Sequence, residues 1–389
     1  AGDDIRPLLL SGGYVNVNAR PDREAAERLA EQASLRQRER EWQDAIGHAL
    51  LDKPFQQAGA RLVFERQFER IGGALAGIPQ GAIVEVGCGR GQLLEHLRQS
   101  SMGADRLLLG VDISVAVRAL AERGQIGVRA DAEQLPLRSG SAAAVVFNGS
   151  LHHAVDYRKS LREALRVLVP GGRLVVFEPA SSVFSRVVHR VLDPFVFRFA
   201  CEYESPVDRH LKHAFREEAV LEEIRASGAT VERQASDFLA YPFTGCYATN
   251  RLGNSVRLMR ALLRVERFIE TLPGLRMAAR TCAWRFLLVA TKPGALERAA
   301  AVDKTGLPRS RSQRSSRLLR DAGLLSLLVC PRCQSSLREV ESERVLACGA
   351  CQLGYPVENT VPFLMEDPSR VRQLALRASF SEPAYVHGS

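Results

Sequence analysis

Short apolar runs recur along this chain at intervals that leave room for a helix between them. Ala82 to Val86 reads as a buried strand, and Gln92 to Leu97 then carries apolar positions at helical spacing. Leu107 to Asp112, Val128 to Ala132, Ala143 to Phe147 and Arg173 to Phe177 repeat the strand signature. Leu161 to Leu168 is helical in pattern and stops at Pro170-Gly171-Gly172. A sixth strand is predicted near Thr230 to Gln234 and a seventh at Trp284 to Thr291. Strands and helices alternating in this order predict an α/β fold with a doubly wound, seven-stranded sheet. Upstream, Arg23 to Arg40 is charge-rich and helical in character, and Arg61 to Leu75 sets Leu62, Phe64, Phe68 and Ile71 at helical spacing.

The first strand runs into Gly87-Cys88-Gly89-Arg90-Gly91, with three glycines at alternate positions. Such a turn lets backbone approach a ligand at the start of the following helix. A dinucleotide fingerprint would place its third glycine one position later, where this chain has Gln92. Two further strands end in acids. Asp112, 25 residues after Gly87, is suited to accept both hydroxyls of a ribose, and Asp131 to meet an adenine amino group. Taken singly, each acid is equally a helix cap. The fourth strand leads into Asn148-Gly149-Ser150-Leu151-His152-His153.

The G-x-G-x-G spacing, the acids after the following strands and Val169-Pro170-Gly171-Gly172 before the fifth strand resemble class I S-adenosylmethionine (SAM)-dependent methyltransferases. The likeness spans Gly81 to Thr291 and implies a Rossmann-like domain over 76–295 with SAM as cofactor. It implies that Glu85, Gly87, Cys88, Gly89 and Gly91 form the cofactor loop. Asp112 with Ile113 would meet the ribose, Asp131 with Ala132 the adenine, and Asn148 to His153 would lie beside the methionine moiety and the acceptor. His152 and His153 are the candidate catalytic bases, because imidazole titrates near neutral pH. The N-terminal region 1–75 would cover the cofactor. Two insertions, Ser181 to His213 and Phe238 to Ala283, are expected to form helical lids over the acceptor. The first includes the apolar and basic stretch Val183 to Phe199, for which a membrane-surface role is an alternative to packing. The second holds Tyr241-Pro242-Phe243 and an amphipathic helix over Val256 to Ile269. His210 and His213 could point together toward a metal, although a polar helix face is the simpler reading.

At the far end, Cys330-Pro331-Arg332-Cys333 and Cys348-Gly349-Ala350-Cys351 give C-x2-C-x14-C-x2-C. Four thiolates suit tetrahedral zinc and leave no open coordination position, so the metal would be structural; disulfides are the alternative. Leu324 to Pro331, Gly354-Tyr355-Pro356-Val357 and Val361-Pro362-Phe363-Leu364 resemble zinc-ribbon activators of methyltransferases and their bacterial relatives. That resemblance implies a ribbon domain over 318–367 that docks on, and stabilises, the catalytic domain of its own chain. Cys88, Cys201, Cys246 and Cys282 show no pairing pattern.

The net charge of +9 changes the picture only locally. Lys304, Arg309, Arg311, Arg314, Arg317 and Arg320 lie together with no acid between them, marking a basic linker over 296–317; a tail follows at 368–389. The linker reads as a flexible, solvated connection, with RNA or an anionic membrane as alternative partners, and the near-balanced catalytic region argues against a broad phosphate-tracking surface. No apolar run is long enough to predict a membrane span. With 389 residues, 46% of them hydrophobic, the chain can bury a full-sized core and a small metal-stapled one. The expected protein is a cytoplasmic SAM-dependent methyltransferase acting on a small or lipid-like acceptor, as in quinone and natural-product pathways. An RNA or protein methyltransferase is the alternative, and a non-catalytic scaffold a third. No Asp/Asn-Pro-Pro-Tyr tetrapeptide follows the fourth strand, which weakens the case for methylating the amino group of a base or glutamine.

Overall fold

Apolar strands buried on both faces form the centre of the molecule, as a parallel sheet covered by helices on each side requires. The computed structural model describes residues 23–47, 56–100, 103, 106–180, 205–207, 216–236, 239–241, 254–275, 282–294, 319, 322–365, 367 and 371–373. Helices α1 (Arg23–Trp42) and α2 (Ala58–Ala74) precede β1 (Ala82–Val86), and α3 (Gln92–Gln99), β2 (Leu108–Asp112), α4 (Arg118–Glu122) and β3 (Ile126–Arg129) follow it. Next come β4 (Ala142–Asn148), α5 (Tyr157–Val167), β5 (Leu168–Pro179), α6 (Glu217–Ala226), β6 (Thr230–Ser236), α7 (Val256–Thr271) and β7 (Arg285–Thr291).

The seven strands lie in the order β3-β2-β1-β4-β5-β7-β6, with β7 antiparallel to both neighbours. Period-two alternation divides the core. Val84, Val86, Val145, Phe147, Leu174 and Val176 face one layer, while Ile83, Ala144, Val146, Val175 and Phe177 face Phe68 and Ile71 of α2 in the other. The strand order reverses between β1 and β4, so a crevice opens there beyond the carboxyl ends of the strands.

Several element boundaries differ from the sequence expectation, among them the start of α5 at Tyr157 and the limits of β3 and β5. β3 ends at Arg129, and Asp131 caps a short turn by accepting the Glu133 N–H at 2.8 Å. β5 begins at Leu168 and takes in Pro170-Gly171-Gly172, because pairing to β4 starts with Leu168 opposite Ala142 and resumes, after an irregularity, with Arg173 opposite Ala144. Val183 to Phe199, His210, His213, Cys201, Cys246 and the basic linker lie outside the described residues.

Helix α1 is tied to the carboxyl-end loops by charge. Arg36 pairs with Glu133, Glu39 accepts the Val207 N–H at 3.0 Å, and Asp44, just beyond α1, pairs with Arg129 at 2.7 Å. On the other side α2 packs on α7 around Val63, Met259 and Leu263. Arg66 pairs with the buried Glu266, whose other oxygen accepts the Leu239 and Ala240 N–H groups at 2.6 and 2.9 Å.

The C-terminal unit comprises α8 (Ala322–Leu327) and the strands β8 (Leu337–Val340), β9 (Val345–Cys348), β10 (Leu353–Glu358), β11 (Val361–Pro362) and β12 (Arg372–Gln373). Its antiparallel sheet meets the open edge of the large one. Phe363 bridges Arg129 in parallel, and Arg129 O accepts the Leu364 N–H at 2.8 Å. Nearby, the Val329 and Arg138 N–H groups bond to Pro136 O and Leu327 O at 3.0 and 2.8 Å. Leu328, Tyr355, Phe363 and Leu364 share one continuous core with Val128, Leu135 and Leu137.

Candidate functional site

The glycine turn after β1 forms one wall of the crevice. Gly87 (φ 72°) and Gly91 (φ 76°) adopt left-handed backbone, and a Cβ on Gly87 would stand 2.3 Å from the Ser150 Cβ. Glycine at 87 therefore lets the loop after β4 lie directly against the turn, and the Ser150 hydroxyl completes the contact by donating to Val86 O at 2.6 Å. Gly89 N–H donates to Asp112 Oδ2 at 2.7 Å, and Asp112 Oδ1 accepts the Ser114 N–H and hydroxyl, both at 2.7 Å. A carboxylate has about four lone-pair directions, so Asp112 keeps acceptor capacity for a further hydroxyl while holding the loop. Ile113 follows it in partial burial, and Cys88 is buried behind the turn.

Glu85 and Asn148 project from the same face of the sheet. Glu85 is buried, and its Oε2 has no hydrogen-bond partner among the described residues. Burial pushes its carboxyl up to about 8; a hydrogen bond from Asn148 opposes the rise and the neighbouring Asp112 charge adds to it. A cationic ligand would satisfy this group, and SAM, with its sulfonium and ammonium, is cationic. The turn, the acids and Asn148 thus fit the cofactor that the sequence implies. Asp131 and Ala132 sit farther along the same rim, where Asp131 approaches Arg36 at 3.9 Å.

The loop after β4 that lies against this turn is built on a carboxylate that sequence reasoning missed. Glu178, fully buried near the end of β5, accepts the Ser150 and Leu151 N–H groups on Oε1 at 2.8 and 2.7 Å and meets His152 Nδ1 with Oε2 at 2.6 Å. Donation from Nδ1 fixes the tautomer with its basic lone pair on Nε2. His153, its ring centroid 4.1 Å from that of His152, meets Ser205 Oγ at 3.2 Å and Glu39 Oε1 at 3.4 Å through Nδ1. Burial alone would raise Glu39, but His153 and the Val207 N–H outweigh it and hold the carboxyl below its usual range. An acid closing an apolar strand singled out Asp112, and the same signal at Val175-Val176-Phe177-Glu178 marks Glu178.

A polar chain extends from this loop toward Tyr241. Asn148 Oδ1 accepts from Gln67 Nε2 of α2, and Gln67 Oε1 accepts from the buried Arg285 at 2.5 Å. The Arg285 guanidinium lies between the rings of Phe177 and Tyr241, 4.5 and 4.1 Å from their centroids.

The four C-terminal cysteines converge, with all Sγ atoms within 4.8 Å of one another. Zinc–sulfur bonds of about 2.3 Å in a tetrahedron separate sulfurs by about 3.8 Å, so the cluster fits zinc. Each pair is followed by a residue in left-handed backbone, Gln334 (φ 61°) and Gln352 (φ 54°), which gives the two knuckles one shape. Cys351 N–H donates to Cys348 Sγ at 3.3 Å.

The methyltransferase domain family matches residues 84–176, from β1 into β5. The chain is 36% identical over 119 residues to demethylmenaquinone methyltransferase of Thermus thermophilus, covering 28% of this chain and 53% of that protein. It therefore spans about half the length of that relative. It is 40% identical over 50 residues to a UPF0434 protein of Dechloromonas aromatica, covering 13% of this chain and 86% of that one. A solved complex of the Haloferax volcanii Trm112 methyltransferase activator and a methyltransferase aligns at 19% identity with a TM-score of 0.37, covering 60% of this chain and 93% of that one. The glycine turn, the sheet and the family match define a class I SAM-dependent methyltransferase domain. Through its 50-residue match the chain also belongs to the UPF0434 family.

Proposed function

We propose that this chain transfers a methyl group from SAM to a small or lipid-like acceptor, of the kind named by its demethylmenaquinone methyltransferase relative. The observation that carries this reading is the His152–Glu178 pair, held on the loop that lies against the glycine turn. When bound, SAM supplies an activated methyl whose sulfonium charge disperses as the group moves, so alignment in a dry site does most of the work. Glu85, Gly87, Gly89, Asp112 and Asn148 would hold it, with Asp131 and Ala132 at the adenine end. His152 Nε2 would take the proton of an acceptor hydroxyl, and the buried Glu178 would stabilise the resulting imidazolium. His153, held by Ser205 and Glu39, would position the loop. Helix α1 and the two insertions would cover the site. We place the protein in the cytoplasm; among the described residues no helix is long and apolar enough to cross a membrane.

The same proposal assigns structural zinc to Cys330, Cys333, Cys348 and Cys351, and a stabilising role in cis to the ribbon. The UPF0434 match is as long as the segment 318–367, which supports placing it there. Incubating cell extracts with the enzyme and methyl-labelled SAM, then separating lipid, small-molecule, RNA and protein fractions, tests the acceptor class. Label is expected in a lipid or small-molecule product. Label confined to RNA or protein, with binding that weakens steeply as salt rises, would replace this reading by the alternative one.

Asp112→Ala is expected to weaken SAM binding about ten- to a hundredfold, since hydrogen bonds to a charged group are worth ~1.5–3 kcal/mol. Calorimetric titration measures this directly. Unchanged affinity would remove Asp112 from the ribose role.

A further inference from the structure

Helix α7 turns one face to α2 and leaves another in water. Val265 and Phe268, 48% and 61% exposed, begin an apolar row that Leu272 and Leu275 continue just past the helix end at 39% and 47% exposure. These four are the large hydrophobic residues exposed among the described part of the chain. Singly exposed apolar residues are ordinary, but four at spacings of three, four and three form a stripe.

Beside that row runs a second one of opposite character. Arg257, Arg260, Arg264 and Arg267 recur at the same spacings, are all exposed, and form no ion pair among the described residues. The two acids of the helix do not offset them: Glu266 is buried against Arg66, and Glu270 is taken by Arg66 and Arg70 at 2.8 and 3.0 Å. At 100° per residue the arginine row lies between the buried face and the apolar row. The outer surface of α7 thus carries four uncompensated cations alongside an apolar ridge.

We propose that α7 docks this protein in plane on an anionic lipid bilayer, with Phe268 and Val265 in the acyl boundary and the arginines among the headgroup phosphates. Charge complementarity selects this occupant, because an apolar protein partner would leave the arginine row unpaired. The contact would bring the acceptor side of the enzyme to the membrane: Glu266, on the inner face of α7, holds Leu239 and Ala240 beside Tyr241, which stacks on Arg285. The inference does not depend on the acceptor assignment, since lipid binding is read without turnover.

The test is co-sedimentation of the full chain with phosphatidylcholine vesicles with and without phosphatidylglycerol. The unmodified chain is expected on the phosphatidylglycerol vesicles and, much less, on pure phosphatidylcholine. At about 1 kcal/mol per cation near an anionic surface, R260Q/R264Q/R267Q should bind roughly a hundredfold more weakly. V265E/F268E should lose at least about tenfold. All five positions are exposed, and circular dichroism and SAM affinity are expected to be unchanged in both variants. Failure of the unmodified chain to bind would overturn the proposal. So would binding indifferent to both variants, which would assign it to the basic segment 304–320, or self-association abolished by Phe268→Glu without vesicle binding, which would assign the stripe to a second copy.

Discussion

The purified chain is expected to carry one zinc ion per polypeptide, and Cys348→Ser is expected to abolish it and unfold the C-terminal sheet. Structural zinc contributes ~10–16 kcal/mol in small peptides, whereas a whole domain is typically stable by only about 5–15 kcal/mol. A unit of some fifty residues has too little core to survive that loss. Cys348 ends β9 in full burial beside Leu346 and Tyr355, so the damage should extend into the core shared with Val128 and Leu137. The catalytic domain should persist in weakened form, with a lower melting temperature or solubility. Elemental analysis and thermal unfolding of the variant and the parent measure both effects. A metal-free parent would remove the zinc assignment; a chain truncated at Leu318 that keeps its stability and activity would remove the stabilising role separately.

The second large effect is expected at His152. If the acceptor is a hydroxyl, His152→Ala should lower turnover ~10²–10⁴-fold with little change in SAM affinity. Glu178→Gln should lower turnover as well, because an amide cannot offset the charge of an imidazolium. It keeps an acceptor for the Ser150 and Leu151 N–H groups, so the loop should stay in place. His153→Ala should have the smaller effect of loosening contacts to Ser205 and Glu39. Steady-state kinetics with calorimetry of SAM binding separates these outcomes. Full activity in His152→Ala would leave the residue structural and end the general-base reading.

Sequence revealed most where a signal is local. Strand runs such as Ala82–Val86 and Arg285–Thr291, the glycines after β1 and the two cysteine pairs each need only a few neighbouring residues to be recognised. The helix at Val256–Thr271 was equally visible through its period, though its exposed apolar row was not separable from its buried one. What remained hidden depends on pairing between distant segments. Glu178 gains its meaning only when the ends of β4 and β5 lie side by side, since its partners Ser150, Leu151 and His152 come from the loop that follows β4. Gln67 is an ordinary polar residue of α2 until packing lays it across Asn148 and Arg285. β3 ends before its sequence pattern does because Asp131 and Ala132 continue that pattern, while Asp131 caps the turn that Ala132 begins. The entry of β5 is hidden because Pro170-Gly171-Gly172 reads as a break and is instead an irregular stretch within a paired strand.

The bridge between Phe363 and Arg129 closes a strand edge that would otherwise offer its backbone to any passing chain. Because both sides of that bridge belong to one polypeptide, their meeting is a unimolecular event. Its extent does not vary with how much protein the cell makes, and neither half can be produced in excess of the other. A two-chain arrangement would expose the bare edge whenever synthesis of its partner lagged; here each copy of the sheet is made together with the segment that seals it.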